Sequence, residues 1–277
     1  MPLPLPSTLS PSKVSAFRDC ALAFRFSAID RLPEPPSVAT SRGTLVHSAL
    51  EKLFGLAAPE RTRAAATACL AAAGAEFRLD PDFTGLQLDA EAEAGFFAEA
   101  AGLVDRYFEI EDPSTVHPIG LELRLTAEVG GLNLVGIIDR LELDADGELV
   151  VTDYKTGRAP KERYEQGRLG GVQFYAFLCE QIFGKRPARV QLMYLGDPMV
   201  ITSTPNDQSI RGLQNRVGAI WAAVERACER DDFRPKPGPL CSWCSFQAFC
   251  PSFGGDPSAA AALVAPAPAD GLAVVAR

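Results

Sequence analysis

The stretch GIIDRLELDADGELVVTDYKTG, residues 136–157, places Asp139, Asp153 and Lys155 inside what reads as a β-hairpin. Val135, Ile137 and Ile138 frame one strand and Leu149, Val150 and Val151 the next, with a turn-forming D-A-D-G at 144–147 between them. Side chains alternate along a strand, so Asp153 and Lys155 share a face while Tyr154 points to the other. A carboxylate and an ammonium side by side at the end of an apolar strand form either a structural ion pair or a site. Asp139 strengthens the second reading, because aspartates from neighbouring strands can converge on a hard divalent cation such as Mg²⁺. Lys155 then stands where it can hold the attacking water or neutralise charge during phosphodiester hydrolysis, in which nucleophile and phosphate are both anionic.

Upstream, IGLELRLTAEV (119–129) alternates with period two, and Gly130-Gly131 turns it into a strand over 132–143. With 148–155 these form a three-strand meander. Earlier still, helices are expected at about 10–24, 42–56, 60–76 and 88–108, interrupted by the P-E-P-P linker at 33–36 and a loop at 80–85. After the hairpin come a helix at about 169–183, a strand at 188–195 and a helix at 207–230. This order predicts an α+β fold with a three-layer α/β/α core, a mixed sheet flanked by helices, and a helical N-terminal insertion. The expected organisation is a flexible N-terminus (1–9), one domain over 10–253 and a disordered Ala/Pro tail (254–277). Within the domain, 10–110 is the helical region, 118–205 the catalytic core, and 207–250 the last helix and a cysteine segment.

The chain has 35 acidic and 27 basic residues and a net charge of −8, totals that do not suggest a general electrostatic grip on nucleic acid. Between 155 and 190, however, eight Lys/Arg face three Asp/Glu, a local +5. That segment is either a solvated surface or a phosphate-facing one, with Lys161, Arg163 and Arg168 as DNA-binding candidates. No stretch approaches 18 apolar residues, and MPLPLPSTLSPSK lacks the cationic run and apolar core of a signal peptide, so a cytoplasmic location without membrane attachment is expected.

The motif LVGIIDRLELDADGELVVTDYKTG resembles the core of the RecB-family exonuclease domain within the PD-(D/E)XK nuclease superfamily, in which one strand ends in G-x-[IV]-D-R and the next in D-[YF]-K-T-G. The resemblance implies a restriction-endonuclease-like fold. It also implies that Asp139 and Asp153 bind Mg²⁺ or Mn²⁺ and that Lys155 is catalytic. SRGTLVHSALEKLF (41–54) resembles the family helix carrying G-x-x-x-H, which makes His47 a further metal ligand; read alone, a lone histidine on an amphipathic helix is a packed or surface residue. LGGVQFYAFL resembles the helix bearing Q-x-x-x-Y, with Tyr175 at the tyrosine and Gly171 in the glutamine slot. Gln173 lies about 200° around the helix from that slot and does not substitute for it simply. Glu122 matches a frequent family glutamate, and it joins Gln173 as an accessory candidate.

CSWCSFQAFC supplies Cys241, Cys244 and Cys250 with the spacing C-x2-C-x5-C. Three thiolates need a fourth ligand, for which Cys20 is the candidate, and spacing alone fits zinc or an iron–sulfur cluster equally. Cys69, Cys179 and Cys228 read as core cysteines. A subset of RecB-like nucleases, the AddB type and CRISPR-associated RecB-like proteins, carries one N-terminal cysteine and a C-terminal C-x2-C-x5-C that together bind [4Fe–4S]. The resemblance therefore implies such a cluster at Cys20, Cys241, Cys244 and Cys250, with Zn²⁺ as the alternative. The resulting expectation is a metal-dependent DNA exonuclease of repair or recombination. Its rivals are an endonuclease or flap nuclease, and a non-catalytic cluster-bearing DNA-binding or complex-forming module. The Walker pattern is absent from the sequence, so a motor would be a separate helicase or repair-complex partner.

Overall fold

The computed structural model describes residues 2–161 and 165–263. The chain divides into two compact units. The larger comprises Ser7–Val14 and Pro35–Trp221; the smaller is built from segments up to residue 6, over 15–34, and from 222 onward.

The larger unit is organised by a five-stranded sheet in the order β1-β2-β3-β4-β5. Its strands are β1 (His117–Val129), β2 (Leu132–Leu143), β3 (Leu149–Lys155), β4 (Arg189–Tyr194) and β5 (Met199–Ser203). Gly130 and Gly131 both have positive φ, as a two-residue hairpin turn demands, and they set the β1–β2 register. All pairs are antiparallel except β3–β4, whose parallel pairing requires the crossover helix α7 (Glu165–Phe183). The expected strands are present, and β5 is an additional one that follows the Gly196-Asp197-Pro198 turn.

Each sheet face carries its own core. On one face Leu134, Ile138, Val151 and Leu192 pack with Phe174 and Leu178 of α7 and with Leu213 and Val217 of the last helix, α8 (Asp207–Arg230). On the other, Tyr154, Met193 and Leu195 meet the N-terminal helices α3 (Val38–Phe54), α4 (Arg63–Phe77) and α6 (Ala90–Tyr107). A mixed sheet covered on both faces by helices is the expected three-layer α/β/α core. Capping side chains place the helix starts. Ser37 accepts from the Thr40 N–H, so α3 begins at residue 38, four residues before the expected start, and Asp89 accepts from the Ala92 N–H. Between α4 and α6 a short helix, α5 (Pro81–Thr84), fills the expected loop.

In the smaller unit, α1 (Pro11–Asp19, of which residues 15–19 belong here) and α2 (Ala21–Phe24) are separate helices, broken at Cys20, whose φ of −160° and ψ of 112° are extended. The sequence expected one continuous helix there. The smaller unit's N- and C-terminal segments are tied directly: Leu3 N–H donates to Cys228 O at 2.9 Å, Lys236 Nζ to Arg18 O at 3.1 Å, and Arg25 pairs with Asp231 at 2.7 Å. The Phe26 ring packs on Phe246 at 5.4 Å. Turns of 3₁₀ type continue to Leu263, and Ala260 is buried; the rest of the expected tail lies outside the described residues. Among the described residues no helix is long and apolar enough to cross a membrane.

Candidate functional site

The hairpin register builds the site. Leu121 pairs with Arg140 and Leu123 with Ile138, which sets Glu122 opposite Asp139. The β2–β3 ladder ends at Arg140↔Thr152, and its continuation sets Asp139 opposite Asp153. Three carboxylates therefore form one row across β1, β2 and β3. Like charges directly opposed on neighbouring strands are destabilising, so such a row calls for cations.

The backbone is irregular along this row. Glu122 has φ of +42°, an uncommon left-handed conformation for a residue with a Cβ. Strand alternation breaks there: Leu121 packs against the α3/α4/α6 core and Leu123 against the α7 core, although they are two residues apart. On β2 the ladder opens beyond Arg140, and the Tyr154 N–H donates to Asp139 Oδ2 at 2.7 Å. This bond fixes the Asp139 carboxylate.

His47 on α3 completes the group. Its Nδ1 lies 3.6 Å from Asp139 Oδ2 and 3.8 Å from Glu122 Oε1. One ligand atom from each of His47, Glu122 and Asp139 lies within 4.8 Å of the others. At the far end of the row, Asp153 is buried and paired with Lys155, whose side chain is 44% exposed. Tyr154 faces away into the opposite core and packs edge-on against His47 at 5.9 Å. Asp153 is not within the three-atom group, which contains Glu122 in its stead.

The electrostatics record the crowding. Burial first, then the Asp139 charge, pushes Glu122 up to about 7 against the pull of His47. Burial likewise pushes Asp153 up to about 6, over the opposing effect of Lys155. For His47 burial opposes protonation, but Asp139, Glu122 and Asp153 together outweigh it and hold its pKa above the usual imidazole value. Burial, then Asp153, Asp139 and Glu122, raise the Tyr175 phenol, so it keeps its proton. Gly136 lets the Tyr175 helix come this close, since a Cβ there would lie 2.8 Å from Leu178 Cδ1 and 3.0 Å from Tyr175 Cε1.

Beneath the row Arg140 is fully buried. It pairs with Glu111 and Glu142, donates to the Tyr154 hydroxyl at 2.9 Å, and lies over the Phe54 ring at 4.6 Å. A single guanidinium thus locks Tyr154, whose amide holds Asp139, to α3, which carries His47. Sequence reading left Arg140 as part of a motif without a task.

The remaining candidates separate. Among the described residues nothing joins Gln173 to the carboxylates, and a Cβ on Gly171 would meet nothing within 4 Å, so the glutamine slot is open space. Lys161 is exposed, whereas Arg163 and the Arg168 side chain lie outside the described residues. Within the smaller unit, Cys20, Cys241, Cys244 and Cys250 line one cavity of about 580 Å³. Burial, and then after an opposing Phe246 backbone hydrogen bond the neighbouring Cys20, Cys241 and Cys250, raise the Cys244 thiol. Cys179 and Cys228 are buried as expected, and Cys69 is half-buried.

An imidazole and two carboxylates held by separate elements form a hard, mixed N/O donor set of the kind that holds a divalent cation. Comparison with known proteins agrees. Residues 8–251 match the model of the PD-(D/E)XK nuclease superfamily. Gene 69 protein of Mycobacterium phage L5 is 26% identical over 136 residues, 48% of this chain and 44% of that protein. The match thus spans less than half the length of that relative. A candidate exonuclease from Eubacterium rectale has a similar structure, with a TM-score of 0.55 at 14% identity over 86% of this chain and 87% of the other. With a matching family model over nearly the whole described chain, the α/β/α core and the charged row on its central strands, this chain belongs to the PD-(D/E)XK nuclease superfamily.

Proposed function

We propose that the protein is a Mg²⁺- or Mn²⁺-dependent DNA exonuclease of the RecB type, acting in DNA repair or recombination. The observation that carries this reading is the convergence of His47, Glu122 and Asp139 beside the Asp153–Lys155 pair. His47, Glu122 and Asp139 would hold the metal, with Asp153 as a further ligand from the adjoining strand. A bound divalent ion supplies an activated water and charge neutralisation at the phosphate. Lys155 orients the nucleophile and offsets the charge gathering on the phosphate. Tyr175, which stays protonated, donates to a phosphate oxygen and takes over part of the positioning that the Gly171 slot leaves undone. The imidazole in the donor set favours Mn²⁺ over Mg²⁺.

DNA as substrate, and a helicase or repair-complex partner, follow from the family resemblance. The candidate exonuclease from Eubacterium rectale is in keeping with exonucleolytic action. The smaller unit would hold a [4Fe–4S] cluster on Cys20, Cys241, Cys244 and Cys250. The cavity that the four thiols share supports this, with Zn²⁺ as the alternative. The test of exonuclease action is a comparison of linear and covalently closed circular DNA in Mn²⁺. Exonuclease action degrades the linear form and spares the circle; cutting of the circle at a comparable rate means an endonuclease.

Metal binding is also testable through pH. Glu122, Asp153 and His47 all have raised values in the folded state, so the fold binds protons more tightly than the unfolded chain does. Stability of the metal-free protein is therefore expected to fall as pH climbs from about 4.5 to about 8. A metal needs the deprotonated ligands, so the rise in melting temperature on adding Mn²⁺ should be larger at about pH 7.5 than at about pH 5.5. An equal rise at both pH values would contradict metal binding at this row.

A further inference from the structure

Beyond the carboxylate row the larger unit has a second charged feature, and it is basic. A cavity of about 620 Å³ opens where β3 ends, and Arg42 of α3, Arg106 of α6 and Arg158 of the loop after β3 line it. Glu99 is the one carboxylate in its wall, and it pairs with Arg42. Arg106 donates Nε to Leu195 O at 2.8 Å, which anchors the side chain and leaves its terminal nitrogens for a ligand. Arg158 is exposed, and among the described residues no carboxylate pairs with either Arg106 or Arg158.

The cavity floor is backbone. Gly157 and Gly196 form part of it, and a Cβ on Gly196 would lie 2.5 Å from Gly157 O. The loop is also pinned to its surroundings. Ala159 N–H donates to Asp197 Oδ2 at 3.0 Å, and Thr156 Oγ1 would stand 3.3 Å from a Cβ on Gly43, one helical turn before His47. The backbone that carries Arg158 is thereby held close to the metal-ligand helix and to the end of β3.

We infer that this cavity is a phosphate subsite in which Arg106 and Arg158, with Arg42 in support, grip a phosphate of the nucleic-acid strand next to the scissile one. The inference rests on the nuclease reading. Guanidinium forks match phosphate oxygens in pairs, and among the described residues two of the three have no competing carboxylate. The geometry suits a strand. Lys155 and Arg158 are three residues apart, at most about 11 Å of chain, so the cavity lies within reach of the phosphate that neighbours one held at Lys155. An otherwise acidic protein with this subsite grips its substrate locally, where the row of carboxylates would repel it. The phosphate is either an internal diester or the terminal monoester of a processed end.

The test is the kinetics of oligonucleotide cleavage in Mn²⁺ by the full chain and by Arg158→Gln and the Arg106→Gln/Arg158→Gln double variant. Arg158→Gln removes a loop side chain with no bond to the described fold, so it reports on the subsite even if the double variant is poorly folded. The double variant should raise KM by about tenfold or more with kcat within about twofold, and Arg158→Gln alone by about threefold. The fall of log(kcat/KM) with log[salt] on single strands should become shallower by about 0.7 for each phosphate that a missing guanidinium no longer neutralises. Substrates with and without a terminal phosphate identify the source: an equal loss on both means an internal diester, and a loss confined to the phosphorylated end means the monoester. If the intact protein cuts while both variants keep its KM and salt dependence, the subsite is refuted and the nuclease reading stands. If the intact protein cuts nothing, the nuclease reading fails and the subsite fails with it.

Discussion

Lys155→Ala and Asp153→Asn are each expected to slow metal-dependent phosphodiester cleavage by at least about 100-fold, the scale of losing one preorganised charge at a reacting centre. The two residues form one ion pair at the end of β3, with Asp153 buried and Lys155 partly open to solvent. Removing the ammonium leaves a buried carboxylate without its counter-ion and beside Asp139, so it takes up a proton more readily and becomes a poorer ligand. Removing the carboxylate charge instead frees Lys155 from its anchor. Both changes strike the transition state more than the fold, since neither side chain belongs to an apolar core, and Asn preserves the volume of Asp. Rates should therefore collapse while circular dichroism and cooperative melting persist. Rates within about threefold of the unmodified protein in both variants would remove Lys155 and Asp153 from the chemistry.

The second large effect concerns the smaller unit. Cys20→Ala is expected to lose most of its iron and the broad visible absorption of an iron–sulfur cluster, although Cys20 lies far from its three companions in sequence. The break between α1 and α2 falls at this residue, so its thiol reaches the cavity shared with Cys241, Cys244 and Cys250 from an extended backbone. Cys69→Ala, on α4 of the larger unit, should keep the full complement. Because the cluster would close a loop of about 220 residues, its loss should also lower the melting temperature and open the termini to protease. Anaerobic purification followed by iron, sulfide and zinc analysis decides the matter. One zinc with no iron or sulfide would replace the cluster by a zinc site, and full metal retention in Cys20→Ala would exclude this residue as a ligand.

Much of the core was legible in the sequence because local chemistry dictates it. The Gly130-Gly131 turn fixes a two-residue hairpin, and counting outward from it places Glu122 opposite Asp139. The period-two alternation of β1 by itself gives Glu122 no task, and only the family resemblance made it an accessory candidate. Its left-handed φ was not legible, because no alternation pattern reports a single backbone outlier of that kind. β5 escaped notice because five residues after a turn carry little periodicity. The break at Cys20 was hidden for a related reason: VSAFRDCALAF has helical spacing throughout, and tertiary context overrides it. The tasks of Arg140 and of the arginine-lined cavity depend on side chains tens of positions apart meeting in space, which a linear pattern does not contain.

Whether the carboxylate row is a metal-dependent nuclease centre is decided by incubating end-labelled single- and double-stranded DNA with anaerobically purified protein in Mn²⁺, in Mg²⁺ and in EDTA, alongside Asp139→Ala. Asp139 is the right control because it touches or faces every other carboxylate and the imidazole of the site: His47 at 3.6 Å, the Tyr154 amide at 2.7 Å, and Glu122 and Asp153 across the strands. Cleavage is expected to be fastest in Mn²⁺, absent in EDTA and lost in Asp139→Ala. Cleavage that continues in EDTA or in Asp139→Ala, or no cleavage of either substrate with either metal, would contradict a metal-dependent centre at this row.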